Sequence, residues 1–167
     1  MSNIDITKAN LNRNVEDTSK NVNEEICTEC GGRCCKQCGC FFSPYDFPEI
    51  SFDFLQKEIE KGYISIARLD YDIIKQPDVY ILRVRNQGKP IVDTGYNGRS
   101  QCILLTEKGC KLSYENRPKG GRFLIPSKEG CKSEYTLIDC ANEWKEYQWI
   151  IFDLMWYFDK KEIQCSL

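Results

Sequence analysis

The chain contains no histidine. That excludes Ser-His-Asp and Cys-His nucleophilic catalysis, which both draw on an imidazole base. It also removes the commonest nitrogen ligand, so a metal site built from these side chains is all-sulfur, or sulfur with an oxygen or exogenous ligand. Excess charge of one sign is lacking too. Lys and Arg number 23 against 25 Asp and Glu, a net charge of −2, which gives no broad electropositive footprint for DNA or RNA. No stretch approaches the roughly 20 apolar residues of a membrane span. The opening Met1-Ser-Asn-Ile-Asp-Ile-Thr-Lys8 has neither the basic n-region nor the apolar h-region of a secretory signal. A glycine-rich phosphate loop and a dinucleotide fingerprint are likewise missing. The expectation is a cytoplasmic chain with no membrane and no nucleic-acid partner. Whether it is an enzyme is left open: catalysis here would rest on a metal centre or on a thiolate of lowered pKa.

Cysteine, by contrast, is abundant, with eleven in 167 residues. In a reducing cytosol that richness reads as metal or redox chemistry rather than a disulfide framework, and an odd count argues against full pairing. Six of the eleven fall between Cys27 and Cys40, at Cys27, Cys30, Cys34, Cys35, Cys38 and Cys40. A Cys-x-x-Cys knuckle turns two sulfurs to one side of a tight bend, as tetrahedral zinc or a cluster iron requires. Cys27/Cys30 and Cys35/Cys38 are two such pairs. Neighbours such as Cys34 and Cys35 usually point apart, so both need not serve one ion. Gly31, Gly32 and Gly39 allow the backbone to bend between the sulfurs. A second set follows at Cys102, Cys110, Cys131 and Cys140. Cys110 and Cys131 each follow a turn-like glycine that presents a sulfur. Cys140 lies on an apolar helical stripe, as core filler or as ligand. Cys165, near the end, is set aside.

Length and composition fit one domain. Residues 1–24 form a polar segment with six asparagines, expected as a flexible tail; residues 25–167 form the cysteine-cluster domain. Ser43-Pro-Tyr-Asp46 suits a turn or helix start. Ser51 to Gly62 predicts a capped helix, with Phe52, Leu55 and Ile59 on one face. Residues 63–69 and 79–85 carry the β-branched and aromatic enrichment of two antiparallel strands. Residues 86–90 and 96–100 read as loops or turns. From Thr136, with Asp139 three positions on, a capped helix runs to about residue 159 on the stripe Leu137, Cys140, Ala141, Trp144, Tyr147, Ile151, Leu154, Met155 and Phe158. The fold class is α+β: a small single metal-stapled domain with a short antiparallel sheet and a long C-terminal helix.

Cys27-x-x-Cys30-x-x-x-Cys34-Cys35, then Cys102-Ile-Leu-Leu-Thr-Glu-Lys-Gly-Cys110, then Tyr114-Glu-Asn-Arg117-Pro118 and Arg122-Phe-Leu-Ile-Pro126, resembles the bacterial cysteine-cluster family of zinc- or iron-chelating domains. A related cysteine box occurs in flagellin lysine methylases. The resemblance covers about residues 25–130. It implies that both cysteine groups converge on one metal centre, with Arg117 and Arg122 beside it to offset thiolate charge. The chain departs from the pattern at Gly121, where the family usually has a cysteine. Cys131, or the pair Cys38/Cys40, would then substitute. Asp46, Asp93 and Tyr114 are further candidates near the centre.

The expected metal ligands are therefore Cys27, Cys30, Cys34, Cys35, Cys102 and Cys110, with Cys38 and Cys131 in second line. Three functions compete. A zinc ion bound by thiolates would staple the fold. An iron–sulfur centre would serve electron transfer or the redox-linked modification of a partner protein, and the excess of cysteines over four favours it. Alternatively, an adaptor would bind a protein partner through the tail or the aromatic helix, with metal incidental.

Overall fold

The computed structural model describes residues 29–69, 78–95, 100–107, 109–127 and 129–164, with side chains described as far as Lys161. The polar segment 1–24, Cys27, the turn at 96–99 and Cys165 lie outside the described residues.

Helix α1 spans Phe52–Glu60. The Ser51 side chain accepts from Phe54 N, and Leu55 and Ile59 are buried. Beyond the Lys61 cap, Gly62 takes φ +87°, the left-handed geometry expected just past a helix end. Strands β1 (Ile64–Leu69) and β2 (Val79–Val84) pair antiparallel, with Ile64 opposite Val84 and Leu69 opposite Val79. The sheet is not purely antiparallel, however. Residues Val92–Asp93 form β3, which runs parallel to β1 on its other edge. β2 ends beside the start of β1, so the chain crosses that end and then runs along β1 in the same direction. β1 is therefore the central strand, and since the consecutive residues Ile64, Ser65, Ile66 and Ala67, with Leu69, are buried, both its faces are covered.

The C-terminal stripe forms, but not as one continuous helix. Helix α3 (Leu137–Trp144) is followed by a 3₁₀ turn, Lys145–Tyr147, and then by α4 (Gln148–Gln164). Gln148 accounts for the interruption. Its side-chain amide donates to Trp144 O at 3.0 Å and to Tyr80 O at 2.8 Å, and its Oε1 accepts from Tyr80 N at 2.8 Å. One side chain thus pins the helical junction to the start of β2. The start of α3 carries a full capping box between Thr136 and Asp139. Cys140, Ala141, Trp144, Ile150, Ile151, Leu154 and Phe158 are buried against the sheet and α1. Trp149, Phe152 and Trp156 face outward on α4, at 64%, 51% and 64% exposure.

The remaining elements are short. They are β4 (Leu105–Thr106) paired with β5 (Gly109–Cys110), a 3₁₀ turn at Tyr114–Asn116, helix α2 (Lys119–Arg122), and β6 (Leu124–Ile125) paired with β7 (Lys132–Ser133). These pieces and the turn holding Cys34 to Cys40 frame the cysteines.

Candidate metal centre

β2 positions both cysteine groups. Along its free edge the segment from Cys40 to Phe42 pairs antiparallel, Val84 N donating to Cys40 O at 2.8 Å and Phe42 N to Leu82 O at 2.9 Å. Beyond the end of β2, Gln87 N donates to Gln101 O at 2.8 Å and Ile103 N to Arg85 O at 3.0 Å, which carries Cys102 alongside Asn86. Asn86, buried at 3% exposure, accepts the Gly39 amide on Oδ1 at 2.8 Å. Cys102 N in turn donates to Cys35 O at 2.7 Å. Two groups about seventy residues apart in sequence are thereby tied through the backbone.

Within the first group, Gly31 and Gly32 take φ +59° and +72°, which only glycine adopts without strain. Lys36 N then bonds Gly32 O at 3.0 Å and Cys38 N bonds Cys34 O at 3.2 Å, closing a compact turn. Cys34 and Cys35 do not point fully apart, since their sulfurs stand 4.0 Å from one another. The edge of a ZnS₄ tetrahedron with bonds of about 2.3 Å is about 3.8 Å.

These segments enclose a cavity of about 210 Å³. A single water needs about 10–15 Å³ of such space. Seven cysteines line it: Cys34, Cys35, Cys38, Cys40, Cys102, Cys110 and Cys131, together with Tyr114, Arg117, Gly120 and Gly121. Of the expected ligands, six meet here. Cys30 is described but is not on the cavity wall, its sulfur accepting from Arg33 N at 3.3 Å. Cys140 is fully buried elsewhere, its sulfur 3.6 Å from Phe42 O, and acts as core filler. Among the described residues, no three or more Cys, Asp or Glu side chains are drawn into a closed ligand set. The sulfurs are gathered around one space rather than around one point.

Arg117 lines the cavity, whereas Arg122 stands behind it. Arg122 Nη2 pairs with Asp46 Oδ1 at 2.9 Å, and its Nη1 donates to Arg117 O. Asp46 Oδ2 accepts from Ser43 N at 2.9 Å and Lys119 N at 2.7 Å. Tyr114 Oη donates to Arg122 O at 2.7 Å. This buried pair fastens the Arg117–Arg122 segment to the Ser43 turn. Asp93, on β3, is not among the cavity-lining residues.

The electrostatics are uneven. Hydrogen bonding with Cys35 lowers Cys34 to about 6 and Cys102 to about 7, with smaller help from Arg117 at Cys34 and Arg83 at Cys102. Cys35 is raised, chiefly by those same bonds to Cys102 and Cys34. Burial, followed by the charges of Cys102 and Cys110, raises Cys40. Burial also raises Cys131, with Cys34 and Cys30 adding to it.

Comparison with protein-family models, with curated proteins and with solved structures returned no match. The chemistry is therefore read from the site alone. Among the described residues, the buried side-chain nitrogens lacking a hydrogen-bond partner are Arg83 Nε and Nη2, Arg117 Nε and Arg122 Nε. Leaving such a donor unsatisfied costs about 1–3 kcal/mol. Arg83 and Arg117 act on Cys102 and Cys34, so their free N–H groups fit an anionic thiolate centre better than neutral thiols. The donor set, the space and these free donors all suit a thiolate-bound metal.

Two residues of this region went unread in the sequence. Asn86 fell in a segment expected as a loop or turn, and Arg83 inside the second expected strand. No local pattern marks either, because each acts through partners far along the chain.

Proposed function

We propose that this protein binds zinc or an iron–sulfur centre through its clustered cysteines. The observation that carries the reading is one cavity lined by seven cysteines, drawn from the Cys34–Cys40 turn and from Cys102, Cys110 and Cys131. Thiolates so concentrated are soft ligands that select such metals. When bound, the metal would cross-link segments that have little core of their own, and the thiols would lose their protons on binding. Cys34, Cys35, Cys102 and Cys110 are the principal ligands of this reading, with Cys38 and Cys131 within reach and Arg117 offsetting the charge. The cavity volume and the surplus over four sulfurs favour a polynuclear iron–sulfur centre over one zinc ion, and with it a redox role or the modification of a partner protein. Anaerobic purification with metal analysis and an absorption spectrum separates the forms. A brown protein with a broad visible band carries iron–sulfur, whereas a colourless one with stoichiometric zinc carries a closed site.

The exposed Trp149, Phe152 and Trp156 favour a second reading, an adaptor that binds a protein partner through α4. Replacing all three with serine should then abolish capture of that partner while metal content stays constant. Unchanged capture would dismiss this reading.

A further inference from the structure

Cys40 is held more closely than a spare thiol requires. Its carbonyl accepts from Val84 N at 2.8 Å, while the next residue, Phe41, accepts Gly120 N at 3.1 Å. Two glycines permit this placement. A Cβ on Gly39 would stand 2.0 Å from Val84 O, and one on Gly120 would stand 2.9 Å from Phe41 O. A third glycine faces the sulfur itself. A Cβ on Gly121 would lie 3.1 Å from Cys40 Sγ and 3.3 Å from Arg117 Cβ. Positions 40 and 121 thus address the same point of the cavity wall, and only position 40 carries a side chain. Were Cys40 mere filler, a small residue at 40 and a side chain at 121 would close the wall equally well.

We propose that Cys40 is a ligand of the metal centre, joining Cys102 and Cys110, and that its sulfur enters where a ligand on residue 121 would otherwise stand. This rests on the reading of the cavity as a metal site. On binding, the Cys40 S–H bond breaks, its proton passes to solvent, and a metal–sulfur bond forms with no change of oxidation state.

Cobalt(II), a coloured stand-in for zinc, tests the assignment in full-length protein prepared reduced and metal-free. Sulfur-to-cobalt charge-transfer absorption rises with the number of bound thiolates. Cys40→Ser should lose part of that absorption and bind cobalt at least about tenfold more weakly. Cys40→Ser with Gly121→Cys should recover both, since the new sulfur starts from the same place. A Cys40→Ser protein with the wild-type spectrum and affinity overturns the assignment, as does a double variant that recovers neither. If wild type shows no sulfur-to-cobalt band, the metal reading itself falls, and the ligand role falls with it. Should Cys40→Ser fail to fold, alkylation mapping of the wild type decides. Cys40 protected by cobalt in mild denaturant supports the ligand role; equal labelling with and without cobalt overturns it.

Discussion

The molecule has two regions that are held together differently. The body, made of α1, β1, β2, α3 and α4, is packed by apolar side chains: Leu55, Ile59, Ile66, Ile81, Trp144, Ile151 and Leu154 are all fully buried. The cysteine region has two-residue strands, a four-residue helix and a cavity of about 210 Å³, with only a few buried apolar side chains such as Leu104, Leu105 and Leu112. Close packing is its own support, because each buried side chain satisfies its neighbours. A shell around an open space needs cross-links instead. The contrast teaches that stability and metal binding should be separable by mutation, with the body governing the first and the cysteine region the second.

The largest effect is expected at Trp144, which is fully buried and donates its indole N–H to Phe42 O at 2.7 Å. Trp144→Ala should cost about 3–5 kcal/mol in urea unfolding, with metal content per folded molecule unchanged. Asp46→Ala attacks the junction between the regions. It leaves Arg122, at 7% side-chain exposure, without its carboxylate. A loss of about 3–5 kcal/mol is expected for a buried pair broken on one side. Unlike the tryptophan variant, it should also weaken metal binding, because Arg122 supports the segment bearing Arg117. Equal metal affinity in the two variants would break the contrast.

A subtler difference lies in the thiols of the metal-free protein. Cys34 is depressed to about 6 by its bond with Cys35, against an ordinary 9.0. A depressed thiol is already ionised at neutral pH and loses its charge only as pH falls through the folded value. Alkylation of Cys34 should therefore rise steeply between about pH 5 and 7 and then level off. Cys140, in the body, is pushed up to about 12 by burial and should stay unreactive over that range. Peptide mapping by mass spectrometry checks both. The smallest effect is expected on the outer face of α4. Trp149→Ser should change stability by no more than about 0.5 kcal/mol and leave metal content as it was.

Much of the body was legible because its signals are local. Ser51 and Gly62 bracket α1, Thr136 and Asp139 cap α3, and the apolar patterns of residues 63–69 and 79–85 mark the paired strands. What escaped depended on distant partners. β3 is only two residues long and parallel because of where β2 ends. The helix breaks at Gln148 because that side chain reaches Tyr80, 68 positions away. In the cysteine region, the sequence pointed to six of the seven cysteines that line the cavity, but not to the wall on which each stands. Cys30, near in sequence, falls off the lining, whereas Cys40 is placed on it by its own bond with Val84 and by the bond of its neighbour Phe41 with Gly120.

Metal analysis of the full-length protein, purified without oxygen and paired with thiol titration before and after chelation, tests the central claim most directly. The account predicts bound zinc or iron in stoichiometric amount, with the cavity thiols unreactive until the metal is removed. Protein that carries neither metal, with all eleven cysteines titrating freely at once, would contradict it.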